Sequence, residues 1–150
     1  MVGTSSSKIY LLDVNVLLAI VLPQHIAHSI VYPWFMEMGR RGFSTCAMTQ
    51  SGFVRLLSNP ATYVEKVTHE DAIQSLQRLT SFKNHFFWPM DVDYSKATAP
   101  LHSRIFGHKQ TTDAYLLGLA IHHRGKLATL DKAICHLAGS EFASHVEYIQ

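Results

Sequence analysis

Cysteine is nearly absent from these 150 residues: Cys46 and Cys135 stand far apart, each in apolar company. With no CxxC spacing and no Cys/His pair of zinc-binding type near either, a zinc finger or a disulfide scaffold is excluded, and both read as buried free thiols in a reducing compartment. Charge is also scarce. Thirteen lysines and arginines against eleven acids leave a formal +2, which excludes a protein that grips nucleic acid by net charge alone but leaves room for a local basic patch. The apolar run from Ile9 to Leu22 is too short to span a bilayer and is interrupted by Asp13 and Asn15. A secretory leader would want a basic start and a small-residue cleavage site, yet one Lys8 precedes the run and Pro23-Gln24-His25 follows it, so the expected compartment is the cytoplasm, with no membrane partner. Repeats, low-complexity blocks and linkers are lacking too, which predicts a flexible polar lead over 1–8 and a single domain over 9–150.

What is plentiful is apolar sequence, 47% of the chain, divided by turn signals into alternating strands and helices. Ile9 to Leu12 has the length and β-branched or aromatic start of a buried strand. Val14 to Val21 follows as a short helix ended by Pro23. Apolar spacing predicts a helix over His25 to Met38, kinked or restarted by Pro33. Phe43 to Met48 reads as a second strand, Thr49 to Leu57 as a helix stopped by Ser58-Asn59-Pro60. Thr68 with Glu70 and Asp71 marks the start of a helix through Leu79.

His85 to Trp88 is the third strand, and Ser95 to Phe106 is helical with Pro100 as its weak point. Thr112 caps a strong helix from Asp113 to His123, which Gly125 stops. A fourth strand over Lys126 to Leu130, a helix over Lys132 to Leu137 and a fifth strand over Val146 to Ile149 complete the chain. Strands separated by helices predict an α/β fold: a central parallel sheet of about five strands with helices on both faces.

In such a sheet, ligands bind outside the carboxyl ends of the strands. Asp13 lies where the first strand gives way to a helix, and Asp131 lies at the same junction after the fourth. Asp113 sits in the first turn of the helix preceding that fourth strand. If the first and fourth strands are neighbours, the three face one crevice. Carboxylates so close repel one another, and a hard divalent cation such as Mg²⁺ resolves the conflict while taking a substrate phosphate into its shell.

Each aspartate also has a plainer role, Asp13 and Asp131 as helix caps and Asp113 as a partner of the helix dipole. Their conjunction at one end of one sheet is what favours a metal site. Asp91 and Asp93, after the third strand, read as a solvated loop. The pairs His25/His28 and His122/His123 lack a third ligand at metal-binding spacing. Arg104, His108 and Lys109 before Asp113, and Arg55 after the second strand, are cations at the rim suited to holding a nucleic-acid backbone.

"LLDVNVLLA", "TQSGFVRLLSNP", "TTDAYLLGLA" and "LATLDKAI" together resemble, in order, the motifs of PIN-domain ribonucleases, and among them the VapC toxins of bacterial toxin–antitoxin pairs. The resemblance runs from about Ile9 to the C-terminus. It implies a PIN-like fold, dependence on Mg²⁺ or Mn²⁺, endonucleolytic cleavage of RNA, neutralisation by a cognate VapB-type antitoxin, and a homodimer. It carries catalytic and metal-ligand roles onto Asp13 and Asp113, with Asp131 as a third acid, Asn15 and Thr129 as polar support, and Gln50 as an amide able to position water. One departure stands out. Where PIN domains place a glutamate in the helix after the second strand, the matching position reads as Gly52, flanked by Gln50 and Ser51.

The competing class is a catalytically inactive PIN-like module that only binds a partner protein, and Gly52 is its best support. A receiver domain would want an acidic pair after the first strand, and a haloacid-dehalogenase phosphatase a second aspartate where Asn15 stands. Neither pattern is present.

Overall fold

The computed structural model describes residues 8–62 and 65–150. The lead expected over 1–8 lies outside them except for Lys8, whose Nζ donates to the Ser144 carbonyl at 3.2 Å. Five short strands, β1 (Tyr10–Leu12), β2 (Phe43–Thr45), β3 (His85–Phe87), β4 (Lys126–Thr129) and β5 (Val146–Tyr148), form one sheet in the order β3-β2-β1-β4-β5. Every pairing is parallel.

Among the described residues seven helices cover both faces: α1 (Val14–Val21), α2 (His28–Glu37), α3 (Ala47–Leu57), α4 (His69–Thr80), α5 (Tyr94–Thr98), α6 (Thr111–His122) and α7 (Lys132–Ala138). Because side chains alternate across a strand, Leu11 and Leu127 enter the core under α5 to α7, while Leu12 and Ala128 enter the core under α1 to α4. Phe35, Phe43 and Phe53 fill the second core, so the early aromatics Phe35 and Phe53 are interior residues. Trp34 instead lies edge-on to Tyr10, with ring centroids 5.1 Å apart.

The sheet order puts the site in place. From β1 the chain steps outward to β2 and β3 with helices on one face, then returns past β1 to β4 and β5 with helices on the other. The topological switch point is therefore the seam between β1 and β4, where Leu12 pairs with Ala128.

Several boundaries differ from expectation, each for a local reason. The second strand stops at Thr45 because Cys46 acts as an N-cap: its N–H donates to Thr49 Oγ1 at 3.0 Å, and α3 starts two residues earlier than predicted. Pro33 neither breaks nor restarts α2, which begins at His28 and runs through it. The helix expected over 95–106 is α5 followed by a 3-10 segment, Ala99–Arg104, with Pro100 in its first turn, where a missing N–H costs least. Thr112 is not a cap, for a 3-10 turn, His108–Gln110, runs directly into α6 at Thr111.

Past α6 the left-handed residue is Arg124, at φ 58°, and not Gly125. Gly125 is required for closeness instead: a Cβ there would lie 2.5 Å from the Ile9 carbonyl oxygen and the Trp88 ring. At Cys135 the thiol is half-buried, whereas Cys46 is fully enclosed.

Gly118 is where α6 touches α5. A Cβ at this position would sit 2.2 Å from the Ala97 carbonyl oxygen, a backbone atom that cannot rotate away. Gly118→Ala is expected to cost about 1–3 kcal/mol despite alanine's better helix propensity, because the two helices must separate. Urea denaturation reads this directly, and unchanged stability would mean that the contact is looser than it stands here.

Candidate active site

Asp13 follows β1 and is the N-cap of α1, its Oδ1 accepting from the Val14 N–H at 2.8 Å. Capping alone would leave the other carboxylate oxygen in water. Instead the side chain is buried, and Oδ2 accepts from Thr129 Oγ1 at 2.9 Å, a bond between residues 116 apart that joins the ends of β1 and β4. Thr129 is fully buried, and its hydroxyl also accepts from the Asp131 N–H at 3.0 Å. Asp131 in turn caps α7 through the Ala133 N–H. One hydroxyl thus orients Asp13 and fixes the backbone of Asp131.

Asp113 arrives from the first turn of α6. Its carboxyl is pushed up to about 6, first by desolvation and then by the charges of Asp13 and Asp131. Burial raises Asp13 as well, against the lowering effect of the Thr129 and Val14 hydrogen bonds, with Asp131 adding repulsion. Among the described residues no lysine, arginine or histidine pairs with any of the three. The three acids repel one another across the ends of β1 and β4 and the start of α6. Their donors are oxygens, the set that suits Mg²⁺ or Mn²⁺ over softer ions.

Thr129→Val tests the junction. The swap keeps shape but strips Asp13 Oδ2 of its donor and Asp131 N–H of its acceptor, so an expected loss of about 1–3 kcal/mol should appear in chemical denaturation. A variant as stable as the parent would remove Thr129 from this account.

A profile of the PIN domain matches residues 10–140. Over 139 residues the chain is 37% identical to ribonuclease VapC39 of Mycobacterium tuberculosis, covering 93% of this chain and 98% of that protein. The chain belongs to the PIN domain family, among the VapC ribonucleases. Ribonuclease VapC44 of the same organism is 41% identical over 124 residues, which span 83% of this PIN domain chain and 87% of its relative. In three dimensions the fold is similar to that in the crystal structure of VapBC2 from Rickettsia felis bound to a DNA fragment from their promoter. There the TM-score is 0.60 at 15% identity, with 95% of this chain and 99% of that one covered. Among the described residues no helix is long and apolar enough to cross a membrane.

The remaining candidates of this PIN domain are scattered around the rim. Asn15 is exposed on the first turn of α1, lining a groove with His25 and Ile26. Gly52 does not face the crevice: it is buried against α1, and a Cβ there would lie 2.8 Å from Val14 Cγ2. The side chain that α3 directs to the strand ends is Gln50, whose Nε2 donates to Thr45 Oγ1 at 2.9 Å. α3 therefore turns an amide, not an acid, toward the strand ends.

Arg55 is exposed in the groove between α3 and α4, beside Ser51 and His69. Lys109 is exposed on the 3-10 turn that leads into α6, four residues before Asp113. Arg104 is otherwise engaged, with a guanidinium 3.4 Å from Glu141 Oε2 and packed over Gly139.

Two features escape a reading of the sequence. Thr45 holds Gln50 and meets His85 Nε2 at 2.7 Å, yet threonine is an ordinary strand residue and carries no signal of this role. Asp91, read as part of a solvated loop, lies against His122 and His123, and supplies the third donor that their spacing lacks.

Proposed function

We propose that this chain is a divalent-metal-dependent endoribonuclease, the toxin of a VapBC-type pair, acting in the cytoplasm as a homodimer and neutralised by a VapB-type antitoxin. Residues 9–150 form its single catalytic domain. The observation that carries the reading is the gathering of Asp13, Asp113 and Asp131 at the β1/β4 switch point, where a carboxyl rises to about 6 and, among the described residues, no protein cation pairs with it. The names of the relatives, ribonucleases all, supply the substrate class.

In this reading Asp13 and Asp113 hold Mg²⁺ or Mn²⁺, with Asp131 as the third acid. A bound hard cation supplies a Lewis acid for a phosphate oxygen and acidifies a water for in-line attack. The chain's own residues do the rest. Thr129 keeps the Asp13 carboxylate in one rotamer, so its free lone pairs aim at the crevice. Asp131, exposed at the start of α7, accepts a proton or orients a water. Gln50 positions water without adding charge, and Asn15 offers a second amide on the opposite rim. Lys109 and Arg55 contact the RNA backbone, and Arg104 does so only by leaving Glu141.

Freed of antitoxin and incubated with total RNA, the purified chain should cut in Mg²⁺ or Mn²⁺, stop in excess chelator, and resume when either ion is restored. Cleavage that persists in chelator, or none in any divalent ion, would sink the proposal. The second outcome favours the inactive binding module.

A further inference from the structure

We infer that Asp91, His122 and His123 form a separate site for a borderline transition-metal ion, Zn²⁺ in the first instance, which clamps the segment after β3 to the end of α6. The donor atoms are already gathered. His122 Nε2 and His123 Nε2 lie 3.2 and 3.5 Å from Asp91 Oδ1, and all three donors fall within 4.8 Å of one another. With metal–ligand bonds of about 2.0–2.1 Å, the edge of a tetrahedron is about 3.3–3.5 Å, so both carboxylate–imidazole separations are near what a tetrahedral ion requires.

Adjacent histidines on a helix normally point about 100° apart and cannot share an ion. Here the helix ends between them. His122 is the last residue of α6 and His123 its C-cap, and Arg124 in the left-handed region turns the chain back. The two rings stand at 81°, so their nitrogens approach from crossed planes instead of stacking. His123 is further held by the Trp88 ring, stacked at a centroid distance of 4.6 Å, and Trp88 itself is buried. The stack holds the plane of the His123 ring and leaves rotation within that plane to aim Nε2.

Two imidazoles and one carboxylate are a poor set for Mg²⁺ and a good one for Zn²⁺. The carboxyl end of α6 adds partial negative charge. The Pro89 carbonyl oxygen, 3.2 Å from His123 Nε2, accepts that ring's proton in the ion-free protein. Loading moves the proton to Nδ1 or to solvent and turns the Nε2 lone pair toward the ion.

This site is not the carboxylate crevice. From Asp113 to His122 is nine residues of α6, about 13 Å along its axis. The two ends of one helix therefore serve two different ion chemistries.

The test is a calorimetric Zn²⁺ titration of the full, antitoxin-free chain, as wild type, Asp13→Asn, His122→Asn and Asp91→Asn. Both site residues are exposed, so the variants should fold, and circular dichroism checks that they do. One tight equivalent is expected in wild type and Asp13→Asn, weakened at least tenfold in His122→Asn and Asp91→Asn. The first equivalent should shift the His122 and His123 ring signals by NMR and raise the melting temperature of wild type but not of His122→Asn. Equal affinity in all four proteins, or a first equivalent that moves other histidines and leaves these two unmoved, overturns the site.

Discussion

Asp13→Asn is expected to lower RNA cleavage at least about a hundredfold while leaving the fold intact. The amide oxygen can still cap α1 through the Val14 N–H, and the amide NH₂ can donate to Thr129 Oγ1, reversing the bond that Asp13 accepts there. Most buried contacts are thus retained, with only the Thr129 hydroxyl proton losing its acceptor, and a desolvated negative charge that burial already disfavours is removed. Stability should hold or rise. What disappears is the anionic ligand, and a loss of about 3 kcal/mol of transition-state stabilisation corresponds to roughly a hundredfold in rate. Cleavage assays on antitoxin-free protein, paired with thermal melts, separate the two effects. Wild-type cleavage by a folded Asp13→Asn protein would remove the crevice from the mechanism, and collapse of the fold would reduce Asp13 to a cap.

The placement of Asp13 and Asp131 after two neighbouring strands is legible because each segment obeys local rules. Four residues of Ile, Tyr and Leu type ending in an aspartate give a buried strand and a capped helix, and "LATLD" repeats the pattern at β4. Parallel topology then does the rest, since switch-point geometry follows from element order. Thr68 opens α4 as expected, with its side chain accepting from the Asp71 N–H and Asp71 answering at the Thr68 N–H.

Legibility failed where a residue acts against its usual type. Cysteine is not a common N-cap, so Cys46 concealed the start of α3. Glycine is the usual left-handed residue after a helix, so the sequence points to Gly125 and not to Arg124. It failed again where partners are remote. Nothing in the spacing of His122 and His123 points 31 residues back to Asp91, and only the packing of the post-β3 segment on α6 unites them. For the same reason Gln50 and Gly52 could not be told apart by alignment of a motif. The direction each takes from α3 depends on what lies beside it, Thr45 for one and Val14 for the other.

The pH response of Asp113 has a definite sign. Its carboxyl stands at about 6 in the folded protein against an ordinary 3.8, so folding favours the protonated form. The resulting stabilisation is complete below about pH 3.8 and is lost as pH rises through 6. Taken in full, the difference between 3.8 and about 6 corresponds to roughly 3 kcal/mol. The group is only about half-buried, and allowing for solvent screening leaves about 1–2 kcal/mol. Stability of the metal-free protein, measured by urea titration from pH 4 to 7.5, should carry this loss, and Asp113→Asn should carry less of it by that amount.

Cleavage should run the other way. A proton on Asp113 competes with the cation, so in limiting Mg²⁺ the rate should fall about tenfold per pH unit below 6, and excess Mg²⁺ should move the midpoint downward. Opposite slopes for stability and activity, both tied to one carboxyl, are hard to obtain from a helix-dipole partner alone. Identical stability profiles for wild type and Asp113→Asn, together with cleavage indifferent to pH between 5 and 7, would leave the acids as neighbours without a shared ion.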